Sequence, residues 1–478
     1  MYHFYKDVRN SKRRFLRTLF SWSMFLLLAG SFLLFPPANC QGEEITDYPA
    51  AQTMEENPEP MAANLSLRNM DFAGIAPMSW VNTYVEQLRQ DIAYNQKNIP
   101  SPDQTVIPDK RNTGIQENVQ LKPFTESGYI GMIAEEEGAT GRRPLYLTVK
   151  DNEFYNINGY SNTKCASRVL IENYNFEDAK LYITNDQKLP GEVILIFRNC
   201  KFRNIRSIPG PNLWIILDHC QTDGNIYASN IIIRNSYLHS RNCDAINPIS
   251  NVVVKDSYVA DLLQGPSDKG VHIDGVQIFG NQYGGISENI IFDNVRFSIP
   301  QLSYEGSGDY VNAAISTGLE FSEGQNFLFQ NIIIDSGGRW FPIYSTGGDQ
   351  VLFKNIQVGG GHSRIFYNKY VNPKAVVMDT KPSQGLYVSS VWKDEENRTH
   401  FLCSNNTGIH KTLTVITDQQ NYTFSIERHP TAAELSNNPQ YREYRFQDLP
   451  YDLEFIIDED ITEAVFFDGN RQIRSVQF

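Results

Sequence analysis

IIIRN, residues 231–235, is followed 21 residues later by VVVKD, residues 252–256. Both place three apolar residues ahead of one polar residue and a closing Asn or Asp. The same phrase recurs as VLIEN (169–173), LIFRN (195–199), IIFDN (290–294), FLFQN (327–331) and VLFKN (351–355), with WIILD (214–218) as a variant. The closing positions lie 17 to 26 residues apart, apart from two gaps of 38 and 37 that each accommodate two short coils or one coil with a long loop. A period in this range marks a solenoid, in which each unit buries its apolar face against its neighbours.

The residue types select among solenoids. Leucine-rich repeats carry Leu at fixed offsets, and helical repeats need amphipathic stretches of ten or more residues. Here the apolar runs are β-branched, four or five residues long and broken by polar turns, and aromatic residues make up 12% of the chain. An all-β protein of stacked parallel strands follows, with equivalent side chains about 4.8 Å apart along the axis. The repeat resembles the right-handed parallel β-helix of the pectin-lyase-like superfamily. In that arrangement Asn173, Asn199, Asp218, Asn235, Asp256, Asn294, Asn331 and Asn355 form one column, a ladder of side chains bonded at tight turns. Cys200 then sits one place after the ladder and Cys220 two places after it, so their side chains should diverge. The six cysteines contain no C-x-x-C pair and no neighbouring His cluster, which argues against zinc and for buried free thiols.

Four segments emerge. Residues 1–40 combine Arg9, Lys12, Arg13, Arg14 and Arg17 with the uncharged run 18–35, the order of a signal peptide or membrane anchor, with the basic side in the cytoplasm. Cys40 adds lipid attachment as a third option. All three place the body of the chain outside the cytoplasm, secreted or on the cell surface. Residues 41–140 read as a polar linker interrupted by a short amphipathic helix over 79–95, where Val81, Val85, Leu88 and Ile92 share one face and can dock on the end of the next domain. The β-helix occupies 141–384. Residues 385–478 change to longer alternating strands with hairpin turns at 418–421 and 468–470, an antiparallel β-sandwich-like C-terminal domain. A formal net charge of −13 argues against nucleic acid as a partner, because beyond the basic N-terminus no segment clusters Lys and Arg.

The stretch KGVHIDGVQIFG (269–280) interrupts the apolar pattern with polar residues. Aligning Asp223, Asp244, Asp274 and Asn312 on consecutive coils stacks three carboxylates and an amide. Stacked carboxylates raise one another's pKa unless a cation intervenes, so an acid/base pair or a calcium site held by Asp244 and Asp274 follows. Tight turns call for the same residues without any chemistry. Arg241, Asn247, Lys269, His272 and Gln277 surround this column in the chain, and the insertions nearby supply Tyr304 and Tyr310, whose rings suit sugar stacking. His272-Ile273-Asp274-Gly275 is similar to the N-T-D-G signature of polygalacturonases, and Gly308-Asp309-Tyr310 to their G-D-D. The resemblance implies Asp309 as general acid and Asp274 as a water-activating carboxylate, beside Asp244 and His272. The expected function is an exported, surface-associated protein that binds an extended polysaccharide on one solenoid face and hydrolyses or modifies it. A non-catalytic adhesion or structural module, and a calcium-assisted lyase or epimerase with Lys269, Arg241 or His272 as base, are the alternatives.

Overall fold

The computed structural model describes residues 76–94, 106–123, 146–150, 153–157, 168–184, 192–208, 213–241, 243–263, 273–280, 285–299, 313–318, 323–337, 342–359, 365–366, 372, 374–383, 385–428 and 452–478. The apolar run 18–35 lies outside them. Among the described residues no helix is long and apolar enough to cross a membrane.

The repeated phrase forms the first face of a parallel β-helix. Ile231 pairs with Ile215 on one side and Val252 on the other. The column runs from Val169 through Leu195, Ile215, Ile231, Val252, Ile290, Phe327 and Val351 to Ala375. Val252 pairs directly with Ile290, and Ile290 with Phe327, so each long gap is one coil with a long loop. Alternate residues point inward, and Phe292, Phe329 and Phe353 stack at centroid distances of 5.3 and 5.2 Å. Fully burying such a side chain contributes roughly 1.5–3 kcal/mol, which makes the inner columns the main source of stability.

After the first face the chain turns through a left-handed residue, the conformation Asn and Asp tolerate best. Asn173, Asn199, Asn235, Asp256, Asn294, Asn331 and Asn355 all hold it, with φ between 46° and 64°. The coil containing WIILD differs: its strand runs Leu213–Asp218 and the left-handed place falls to His219, φ 52°. The register is therefore one residue later than the phrase suggests. Asp218 instead faces outward in a row of charges, bonded to Arg234 at 2.9 Å and Arg198 at 3.3 Å. The same shift corrects the cysteines. Lys201 pairs with Gln221, so Cys200 and Cys220 stack directly, both fully buried and both free thiols.

A second ladder marks the start of the first-face strands. Asn251 donates to Asn230 at 2.9 Å, Asn289 to Asn251 at 2.8 Å and Asn326 to Asn289 at 2.9 Å. All four asparagines are left-handed, φ 50° to 60°. The four first-face strands that follow Asn230, Asn251, Asn289 and Asn326 are thus bracketed at both ends.

Two segments from the expected linker pack along this rod. Helix α1, Pro77–Tyr94, begins with a proline at its first position, where the missing N–H costs nothing. It buries Trp80, Val81, Tyr84, Val85 and Leu88, while Ile92 is only half-buried. It lies on the side of the first face rather than on the solenoid's end. Tyr84 donates to Asp293 at 2.8 Å, and Lys354 pairs with Asp91 at 2.9 Å. Residues 106–123 form a strap across the coils. Asn294 donates to the Val106 carbonyl, Gly114 N–H to Asn235, Gln116 exchanges bonds with Asn199, and Lys122 N–H reaches Asn173.

The C-terminal strands form a three-stranded sheet (Leu386–Lys393, Thr399–Asn405, Leu453–Ile457) and a four-stranded one (Lys411–Thr417, Asn421–Ile426, Glu463–Asp468, Arg471–Gln477), all antiparallel. Phe401, Val415, Ile457 and Phe466 fill the space between them. A buried polar hub joins this domain to the solenoid. Arg296, 0% exposed, bonds Asp335 at 2.7 Å and takes Asp452 in a two-point contact, and Asn406 donates to Asp335.

Candidate functional site

The third face is assembled from short strands: Ile226–Ala228, Ile246–Pro248, Val276–Gln277, Ile315–Thr317 and Ile343–Ser345. In each the first residue, an Ile or Val, anchors in the core, and the second faces out from the solenoid's interior. Register places Arg206, Tyr227, Asn247, Gln277, Ser316 and Tyr344 in one outward column. The middle of the column is buried, with Asn247, Gln277 and Ser316 at 7, 6 and 3% exposure. Its two ends are half-exposed: Arg206 lies over the Tyr227 ring at 5.5 Å, and Tyr344 packs where a side chain on Gly318 would stand.

Asp244 and Asp274 occupy the corner just ahead of this face, one above the other, two residues before the paired Ile246 and Val276. The N–H of Asp274 donates to Oδ1 of Asp244 at 2.7 Å, and the N–H of Ala313 donates to Oδ1 of Asp274 at 2.8 Å. Asn247 donates to the second oxygen of Asp244 at 2.9 Å and to the Gln277 carbonyl at 3.1 Å. Asn225 donates to the Asp244 carbonyl and to Asn247. The arrangement is a carboxylate-to-backbone ladder: each Asp satisfies the amide of the coil above, which secondary structure leaves open at the corner. Asp274 is 0% exposed and Asp244 8%. A general acid or base must come within hydrogen-bond reach of the substrate atom it serves.

Of the sequence-derived site residues, the structure brings together Asp244, Asp274, Asn247 and Gln277. Arg241 ends the second-face strand Tyr237–Arg241 and pairs there with Leu263. His272, Lys269, Asp309, Tyr304 and Tyr310 lie outside the described residues, as does Asn312. The proposed alignment places Asp223 in this column; the register instead pairs it with His239 on the second face, where the two side chains meet at 3.1 Å. Asp223 stands three residues before Ile226, whereas Asp244 stands two before the paired Ile246, so it falls one place out of the column.

Calcium takes six to eight oxygen ligands. Both oxygens of Asp244 and one of Asp274 already accept N–H donors, and among the described residues no group of three or more His, Cys, Asp or Glu converges. Among the described residues, the side chains beside Asp244 and Asp274 bring together no such carboxylate set.

Sequence reasoning missed Arg206, Tyr227, Ser316 and Tyr344. Their trace is a faint second phrase, Ile-Tyr-Ala, Ile-Asn-Pro, Ile-Ser-Thr and Ile-Tyr-Ser, an apolar anchor followed by a polar residue. At three letters it is too short to stand out without the first-face register. Comparison with protein-family models, with curated proteins and with solved structures finds no match to this chain.

Proposed function

We propose that this chain is an exported, surface-associated binding module that holds an extended polysaccharide on the third face of its β-helix without cleaving it. The observation that supports the non-catalytic part is the burial of Asp244 and Asp274 in a main-chain ladder that takes both oxygens of Asp244 and one of Asp274. The coil pattern resembles the pectin-lyase-like superfamily, whose rods bind extended polymers, and HIDG echoes polygalacturonases. In this chain the aspartate of that echo closes a turn. The half-exposed Arg206, Tyr227 and Tyr344 supply ring faces and donors suited to sugars at the two ends of the column.

The test is a glycan panel with the full chain, read for binding and for new reducing ends or unsaturated uronates. Binding without turnover, weakened in Tyr227→Ala and Tyr344→Ala, is the expected result. Turnover that Asp274→Asn abolishes while the thermal transition holds returns the protein to the glycoside hydrolases or lyases. No binding to any glycan leaves a structural module.

A further inference from the structure

A cleft of about 450 Å³ opens between the strap, the ladder and the C-terminal domain. Its walls include Arg111 and Gly114 of the strap, His219 of the solenoid, and Ser389 and Arg474 of the C-terminal sheets. Volumes of this order hold small-molecule ligands.

Three of these side chains carry unused hydrogen-bonding capacity. Ser389 is 1% exposed, yet its Oγ has no hydrogen-bond partner among the described residues. A buried hydroxyl left in that state costs about 1–3 kcal/mol unless something bonds it. Arg474 points one amino group at the backbone, donating from Nη1 to the carbonyls of Val388 and Ser389. Its Nε is buried and unbonded, and among the described residues no carboxylate pairs with the guanidinium. The Nε edge is the side on which a guanidinium takes a carboxylate at two points. The third is His219. Its Nδ1 bonds Asp218 at 2.9 Å, which fixes the ring, and its Nε2 carries no bond among the described residues. Arg111, by contrast, is committed to Glu117 at 2.8 Å and to the Trp392 ring at 3.8 Å.

We infer that this cleft binds a small sugar acid: Arg474 and Ser389 take its carboxylate, and His219 Nε2 takes a hydroxyl. The carboxylate supplies the bonds that the Arg474 Nε edge and the Ser389 hydroxyl lack among the described residues, beside the buried Asp109 whose charge already acts on the guanidinium, and the volume beyond them exceeds a bare anion. Burial lowers the Arg474 pKa, which an anionic ligand would reverse. The cleft is separate from the third face, so its test does not depend on glycan binding there.

The experiment is isothermal titration of the full chain with sodium D-glucuronate, D-glucose and sodium sulfate. Glucuronate should bind, and glucose and sulfate at least about tenfold more weakly, because each lacks one half of the recognition. Ser389→Ala removes a hydroxyl that has no hydrogen-bond partner among the described residues, so it should keep or raise the melting temperature while weakening glucuronate about tenfold. Arg474→Gln should weaken it further, His219→Phe should erase the preference over sulfate, and Tyr227→Ala should change nothing. Glucuronate that does not bind, that binds Ser389→Ala as tightly as the parent, or that sulfate matches overturns the assignment.

Discussion

Arg296 and Asp452 face each other through two hydrogen bonds of 3.1 and 2.9 Å, although one belongs to the solenoid and the other to the C-terminal domain. Asp335 completes the cluster from the neighbouring coil, so one guanidinium serves two carboxylates. Arg296→Met leaves both acids buried without a counter-charge. Removing one partner of such a cluster costs about 3–5 kcal/mol, and denaturant unfolding followed by tryptophan fluorescence should show a loss of that size.

The same cluster makes stability depend on pH. Burial, opposed by Arg296 and reinforced by the charge of Asp335, raises the Asp452 carboxyl from 3.8 to about 6. The folded state therefore holds this proton more tightly than the unfolded chain does. Stability from this group is full below about pH 4 and falls by about 3 kcal/mol as pH rises through 6. Subtracting the stability profile of Asp452→Asn from that of the parent between pH 4 and 7 should isolate a falling limb; a flat difference contradicts the assignment.

Asn289 sits mid-ladder at φ 58°, donating to Asn251 and accepting from Asn326. Asn289→Ala loses both bonds and leaves a β-carbon in the left-handed region without the polar side chain that eases it, for a combined cost of about 2–4 kcal/mol. Asn289→Gly loses the bonds but relaxes the backbone strain, and should be the milder change. The order of the two unfolding midpoints checks whether conformation contributes alongside hydrogen bonding.

Cys200 and Cys220 are stacked, sealed from solvent, and donate to backbone carbonyls of their own and the preceding coil. Burial pushes the Cys220 thiol well up, so almost no thiolate exists at neutral pH. Mass-resolved alkylation under native conditions should label the half-buried Cys243 before Cys200, Cys220 and Cys403. Cys200 and Cys220 should react only as fast as the protein unfolds.

The solenoid was legible because its phrase carries two signals at once, a buried apolar run and a left-handed Asn. WIILD shows the limit: Asp218 looks like the ladder residue, and only the strand pairing shows that His219 holds the turn. The second ladder was in plain sight as the Asn preceding each run in SNIIIRN, SNVVVKD, ENIIFDN and QNFLFQN, but it calls for reading the phrase one letter earlier. Asp244 and Asp274 align as their letters suggest. Letters do not reveal that backbone amides claim their oxygens, since that depends on the coil above. The strap was illegible for a related reason. Its bonds to the coils run largely through backbone groups, which leave no periodic mark.

That strap, residues 106–123, touches coils far apart in the stack, from Asn294 back to Asn173. A tower of repeats ordinarily behaves as a one-dimensional array, fraying from its tips one unit at a time. A lengthwise tie removes that freedom, since loosening any single storey also strains the segment binding the rest. The rod should come apart as a block, with hydrogen exchange in its central storeys matching that near its tips.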